Sequence, residues 1–216
     1  MEKSYNFSTI RYADLESIVD IRLASDEKHE YKFDEWFNFD YTLSVEEEEF
    51  LKKLIKRHHR RLSVYSEEKL KVKFIGVILN EINFENDTIQ DWYEPTFGGF
   101  VNGVELKGFV DFMVATGTDV PKNPYFFIQE FKPSIPDRHP EPQLLAEMLV
   151  AIEKNKKTIF YGGYIIGRTW IFVILEKIGE NQFEYFVSEA FDSLKINDLK
   201  QIYIILQAVK HKYCQD

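Results

Sequence analysis

Two acids and a lysine stand out in this 216-residue chain because of the company they keep. Asp111 interrupts the apolar run Phe109-Val110-Asp111-Phe112-Met113-Val114. Glu130 and Lys132 close the run Tyr125-Phe126-Phe127-Ile128-Gln129-Glu130-Phe131-Lys132, which ends at Pro133. In an extended strand, residues two apart share a face, so Glu130 and Lys132 point the same way. Read as one strand, residues 104–115 place Phe109, Asp111 and Met113 on one face and Val110, Phe112 and Val114 on the other. Unpaired charge at half-buried positions is costly unless a cation or an ion pair neutralises it. Two carboxylates and the Phe131 carbonyl form a hard-oxygen set that suits Mg²⁺ or Mn²⁺ and leaves room for water and a phosphate oxygen. A cation held there would stabilise charge developing on a phosphodiester, with Lys132 orienting the attacking water. The plainer alternative is a lysine–carboxylate ion pair on a solvated sheet face.

Those positions need a sheet and covering helices. Ser44 and Glu47 form a capping-box pair, and Phe50, Leu51, Leu54, Ile55 and Leu62 follow at helical spacing to Arg61. Ser66 caps a second helix, with Leu70, Phe74, Val77 and Ile78 on one face up to about Glu81. Residues 83–95 are polar and are expected as loop. A period of two then runs through 97–101 and 104–115, around a hairpin turn at Asn102-Gly103. Residues 117–124 are turn-rich and 125–132 form a third strand. Pro142 suits a first helical turn, before the stripe Leu144, Leu145, Met148, Leu149 and Ile152. Strands are expected at 158–166, 169–175 and 183–188, and a closing helix from Asn197. Among the first forty residues, rich in aromatics, only 14–23 shows a helical pattern. The order predicts an α/β sandwich, a central mixed sheet flanked by helices, with residues 1–62 as an N-terminal helical elaboration on a domain over 63–216.

Composition bounds the function. Hydrophobic residues at 44% allow a full core, while a net charge of -9 argues against a generally basic nucleic-acid coat. The lone Cys214 offers neither a disulfide nor a cysteine-based zinc site, which fits a reducing cytoplasm. No signal-like start or membrane-length apolar run is seen, so no membrane partner is expected.

The ordered segments Gly108-Phe109-Val110-Asp111-Phe112, Phe127-Ile128-Gln129-Glu130-Phe131-Lys132-Pro133 and Gln143 at a helix start resemble the PD-(D/E)XK nuclease superfamily, which has the restriction-endonuclease-like fold. The stretch from Ser66 to Ile75 is similar to the helix that opens the nuclease domain of type I restriction motor subunits. The resemblance covers about residues 66–175, and Val110 replaces the proline of the family motif. It implies Asp111 and Glu130 as metal ligands together with the Phe131 carbonyl, Lys132 as the catalytic lysine, Glu67 as an accessory acid and Gln143 as a helix residue near the phosphate. Acids in a first helical turn also simply favour the helix dipole, which is the competing role for Glu67.

The expected activity is metal-dependent hydrolysis of DNA, or less readily RNA, with a homodimer or a larger complex as the expected assembly. The alternative is a silent nuclease-fold module that binds nucleic acid or protein. Outside the core set, the cationic run Lys52, Lys53, Lys56, Arg57, His58, His59, Arg60 and Arg61 could contact phosphate or only solvate a helix end. His139 could approach the site from its loop, and the glycines near Tyr161 are read as strand packing. With the acids crowded together, removing the Asp111 charge is expected to raise metal-free stability.

Overall fold

The computed structural model describes residues 3–29 and 31–214. Its N-terminal part holds β1 (Ser4–Asn6), α1 (Tyr12–Glu16), β2 (Asp20–Leu23), α2 (Asp26–His29), α3 (Asp34–Phe37) and α4 (Val45–His58). Next come α5 (Glu67–Leu70), a π-helical turn (Lys71–Ile75) and α6 (Gly76–Ile82). The strands β3 (Ile89–Tyr93), β4 (Thr96–Val101), β5 (Val104–Phe109), β6 (Phe112–Thr116) and β7 (Lys122–Lys132) follow. The chain closes with α7 (Glu141–Asn155), β8 (Ile159–Ile166), β9 (Thr169–Gly179), β10 (Gln182–Val187), β11 (Phe191–Asp192) and α8 (Ile196–Tyr213).

The large sheet runs β2-β10-β9-β8-β7-β6-β3, with β11 paired to β9, and is mixed. β7 lies parallel to β8 and antiparallel to β6, with α7 as the crossover between β7 and β8. Side chains alternate to two cores. Phe112, Val114, Phe127 and Phe131 join α8 on one face, while Met113, Ala115, Ile128 and the apolar stripe of α7 fill the other. A sheet covered on both faces explains why its strands read as continuous apolar runs. The fold is thus α/β with helices on both faces of a mixed sheet.

Several expectations change. The single strand over 104–115 is two strands in two sheets: β5 pairs with β1 and β4 in a three-stranded sheet, and β6 belongs to the large one. Residues 110–111 form the corner, so the predicted face-sharing fails. Phe109 is exposed, whereas Val110 and Met113 are buried in the same core. The polar stretch 83–95 contains β3, an edge strand antiparallel to β6, where one-sided burial tolerates Gln90 and Asp91. The helical pattern at 14–23 resolves into α1 and β2. β-branched Ile18 and Val19 weaken a helix there, and β2 instead pairs in parallel with β10. The strand expected from Tyr125 starts at Lys122. The capping box at Ser44 and the cap at Ser66 form as expected, and Asn102 (φ 47°) and Gly103 (φ 75°) make the hairpin turn. The aromatic N-terminal segment has a packing role. Trp36 meets Phe127, Tyr161 and Phe172 edge-on, and its indole N–H donates to the Ile205 carbonyl at 3.0 Å. Among the described residues no helix is long and apolar enough to cross a membrane.

Candidate active site

Asp111 is placed by the corner between the two sheets. The Phe131 N–H donates to its Oδ2 at 2.8 Å, so the carboxylate takes a hydrogen bond that a continuing strand would have supplied with its backbone. Its own N–H donates to Glu130 Oε1 at 3.4 Å. The antiparallel register, Phe112 opposite Gln129, brings the end of β7 beside this corner. Glu130 and Lys132 share a face of β7, and Glu67 opens α5 above them.

Four oxygens converge on one ammonium group. Lys132 Nζ lies 3.1 Å from the Phe131 carbonyl, 3.3 Å from Glu130 Oε2, 3.7 Å from Asp111 Oδ2 and 4.0 Å from Glu67 Oε2. Burial alone would lower the Lys132 pKa, but Glu130, Asp111 and Glu67 outweigh it and hold the value above the ordinary one. The ammonium thus stands where a cation would be shared by the expected ligands. Among the described residues no three histidine, cysteine or acidic side chains are grouped so as to hold a metal ion. The expected oxygen set of two carboxylates and a main-chain carbonyl consists of hard donors, the kind a divalent cation takes, and Lys132 Nζ stands among them.

Two residues absent from the sequence reading complete the site. Lys71 sits in the π-helical turn and reaches Asp111 Oδ1 at 3.1 Å and Glu94 Oε1 at 2.7 Å. Burial lowers its pKa, but Asp111 and Glu94 together raise it by more, leaving a net upward shift. Glu147 of α7 is fully buried and in contact with Glu130. Burial first, then Glu130, pushes its pKa well up; burial and Asp111 likewise raise that of Glu130, against the pull of Lys132. Two carboxyl groups in contact are satisfied only when one carries a proton. Glu67, half-buried, is also shifted upward, by burial and Asp111 against the attraction of Lys132. The signal for Glu147 was available: it lies three residues after Leu144 and one before Met148, within the apolar stripe of α7. Lys71 had none, because regular α-helical spacing does not anticipate a π turn.

Gln143 is brought near but turned to Glu147, donating to its Oε1 at 3.2 Å; it also lines the cavity that Lys132 and Glu67 share. That cavity is lined by His139 but by no residue of the cationic run at the end of α4. In that run His58 is buried, its Nδ1 2.9 Å from the Tyr65 hydroxyl, and Lys52 pairs with Glu48 and Glu49. Gly162 serves close packing, since a Cβ there would stand 3.0 Å from the Ile128 carbonyl. No family model matches this chain, and no curated protein matches it.

Proposed function

We propose that this chain is a metal-dependent phosphodiesterase acting on nucleic acid, DNA before RNA, with a restriction-endonuclease-like core. The observation that carries the reading is the convergence of the Asp111, Glu130 and Phe131 oxygens on a single positive charge. The core assignment is supported by the pairing of β7 with antiparallel β6 on one side and parallel β8, reached through α7, on the other, which sets the segments that resemble the family side by side. Asp111, Glu130 and the Phe131 carbonyl would hold Mg²⁺ or Mn²⁺, which when bound supplies Lewis-acid polarisation of the phosphodiester. Lys132 donates to the attacking water and orients it. Lys71 fixes Asp111 from the side away from Lys132. Glu130 must be ionised to act as a ligand, and Glu147 keeps the proton that the pair shares. Glu67 accepts from groups entering the cavity, and Gln143 holds Glu147 in place.

A second reading, a silent nuclease-fold module, draws on the acidity around the site: Glu67, Glu94 and Asp137 surround few cations in a chain of net charge -9. End-labelled DNA incubated with wild type and Lys132→Ala in Mn²⁺ separates the two. Cleavage by wild type that falls at least about a hundredfold in the folded variant supports the enzyme. Nucleic-acid binding without cleavage by either protein supports the module.

A further inference from the structure

Beside Lys132 the surface opens into a cavity of about 330 Å³. Glu67, Lys132 and Gln143 belong both to its wall and to the candidate site, so the two form one space. The other walls come from elements that the catalytic reading leaves without a task. Ser8 and Ile10 come from the N-terminal segment, while Ile135, Asp137, Arg138 and His139 belong to the loop joining β7 to α7.

These walls are held in place. Arg138 Nη1 donates to the Thr9 carbonyl at 3.3 Å, tying loop to N-terminal turn across the cavity. The His139 Nδ1 accepts the Glu141 N–H at 3.4 Å, and its ring meets Tyr164 edge-on at 5.3 Å. The nearly buried Glu141 carboxylate accepts from the Tyr12 and Tyr164 hydroxyls at 2.6 and 2.9 Å, anchoring the first turn of α7 behind the loop. Ser134 packs so tightly on Gly167 that a Cβ there would stand 2.3 Å from its Oγ. Yet Ile135, on this anchored loop, is 89% exposed at the cavity. A large aliphatic left in water on a fixed wall, with Arg138 and Lys132 set against Asp137 and Glu67 in the same lining, is suited to a ligand that is flat and apolar on one side and carries a single anionic group at the cationic end.

We infer that the cavity receives one unpaired nucleotide next to the scissile phosphate, so that the substrate is single-stranded or frayed nucleic acid; this rests on the phosphodiesterase reading above. Size limits the occupant, because pockets for small ligands span about 300–1,000 Å³ and this one, near the lower bound, admits one nucleotide. A base enters such a walled space only by leaving its stack, which costs least in a single strand. Charge points the same way. A chain of net charge -9 has little with which to track a long duplex backbone, whereas contact between an apolar wall and a base is independent of phosphate count. Ile135 faces the base, and Arg138 meets the phosphate with the N–H groups that its bond to the Thr9 carbonyl leaves over.

Fluorescein-labelled dT12, alone or annealed to dA12, is titrated with the full chain in chelator and read by fluorescence polarisation, so that binding is scored apart from cleavage. The single strand should bind about tenfold tighter than the duplex. Ser8→Trp, which fills the cavity from an exposed position, and Arg138→Ala should each weaken single-strand binding about tenfold, with folding checked by melting. Equal binding of strand and duplex, or wild-type binding by both variants, overturns the inference. In a parallel arm with Mn²⁺, bis(4-nitrophenyl) phosphate and dT12 are offered as substrates. Cavity-dependent strand binding without hydrolysis of either ends the phosphodiesterase reading and leaves the nucleotide cavity standing; neither binding nor hydrolysis overturns both.

Discussion

Glu147→Gln should stabilise the metal-free protein, increasingly so as pH rises. Glu147 is fully buried, its Oε2 has no hydrogen-bond donor, and it touches the buried Glu130. Its pKa in the folded protein lies well above the ordinary value, so the folded state holds a proton that the unfolded chain releases near pH 4.5. Stability from that protonated form is therefore complete below about pH 4.5 and is lost as pH climbs toward the raised pKa. A glutamine keeps the shape, still accepts from Gln143 with its oxygen, and offers an N–H to Glu130 at every pH. A glutamine needs no proton, so its advantage grows as pH rises above about 4.5, and the cost of leaving a buried polar group unsatisfied, about 1–3 kcal/mol, sets its scale. At about 2–4 °C per kcal/mol for a chain of this size, the gain in Tm at pH 8.5 is about 2–12 °C, shrinking toward pH 6. Scanning calorimetry at both pH values with chelator present measures it. A variant that melts lower than wild type at pH 8.5, or differs by the same amount at both, would refute the shared proton.

Asp111→Asn should lower metal-free Tm, contrary to the expectation from crowded acids alone, since Lys71, Lys132 and the Phe131 N–H all depend on that carboxylate; an unchanged or higher Tm by thermal melt would contradict this. Mn²⁺ affinity measured by isothermal titration should rise between pH 6 and pH 8, because Glu130, with its raised pKa, must release a proton to bind; a flat profile would count against Glu130 as a ligand. Trp36→Ala should cost about 3–5 kcal/mol in urea unfolding. A loss below about 1 kcal/mol would make the N-terminal segment a dispensable attachment.

What the sequence disclosed was what local chemistry decides. The caps at Ser44 and Ser66, the Asn102-Gly103 turn and the apolar stripe of α7 each depend on near neighbours, and each is where it was read. The grouping of Asp111, Glu130 and Lys132 was legible because charged residues framed by apolar runs must meet one another or water, whereas Glu67, in a polar first helical turn, was reached only through the family resemblance. What escaped depends on distant partners. Nothing local says that residues 104–115 pass from one sheet to another at Val110, since Asp111 at the corner is flanked by apolar residues that suit one continuous strand equally well. β3 was hidden because an edge strand needs only one buried face. Lys71 was missed because a π turn shifts its direction on the helix, and Glu147 because a single acid in an apolar stripe looks like an interruption until Glu130 is seen opposite it.

Anomalous scattering from a crystal grown with millimolar Mn²⁺ tests the proposed site most directly. A peak should stand beside Asp111, Glu130 and the Phe131 carbonyl, with oxygens at about 2.0–2.6 Å and the Lys132 ammonium moved off its present position among them. A crystal in which Lys132 still bridges Glu130, Asp111 and the Phe131 carbonyl, with no anomalous peak there, would contradict the metal-dependent site and leave an ion-paired sheet end in its place.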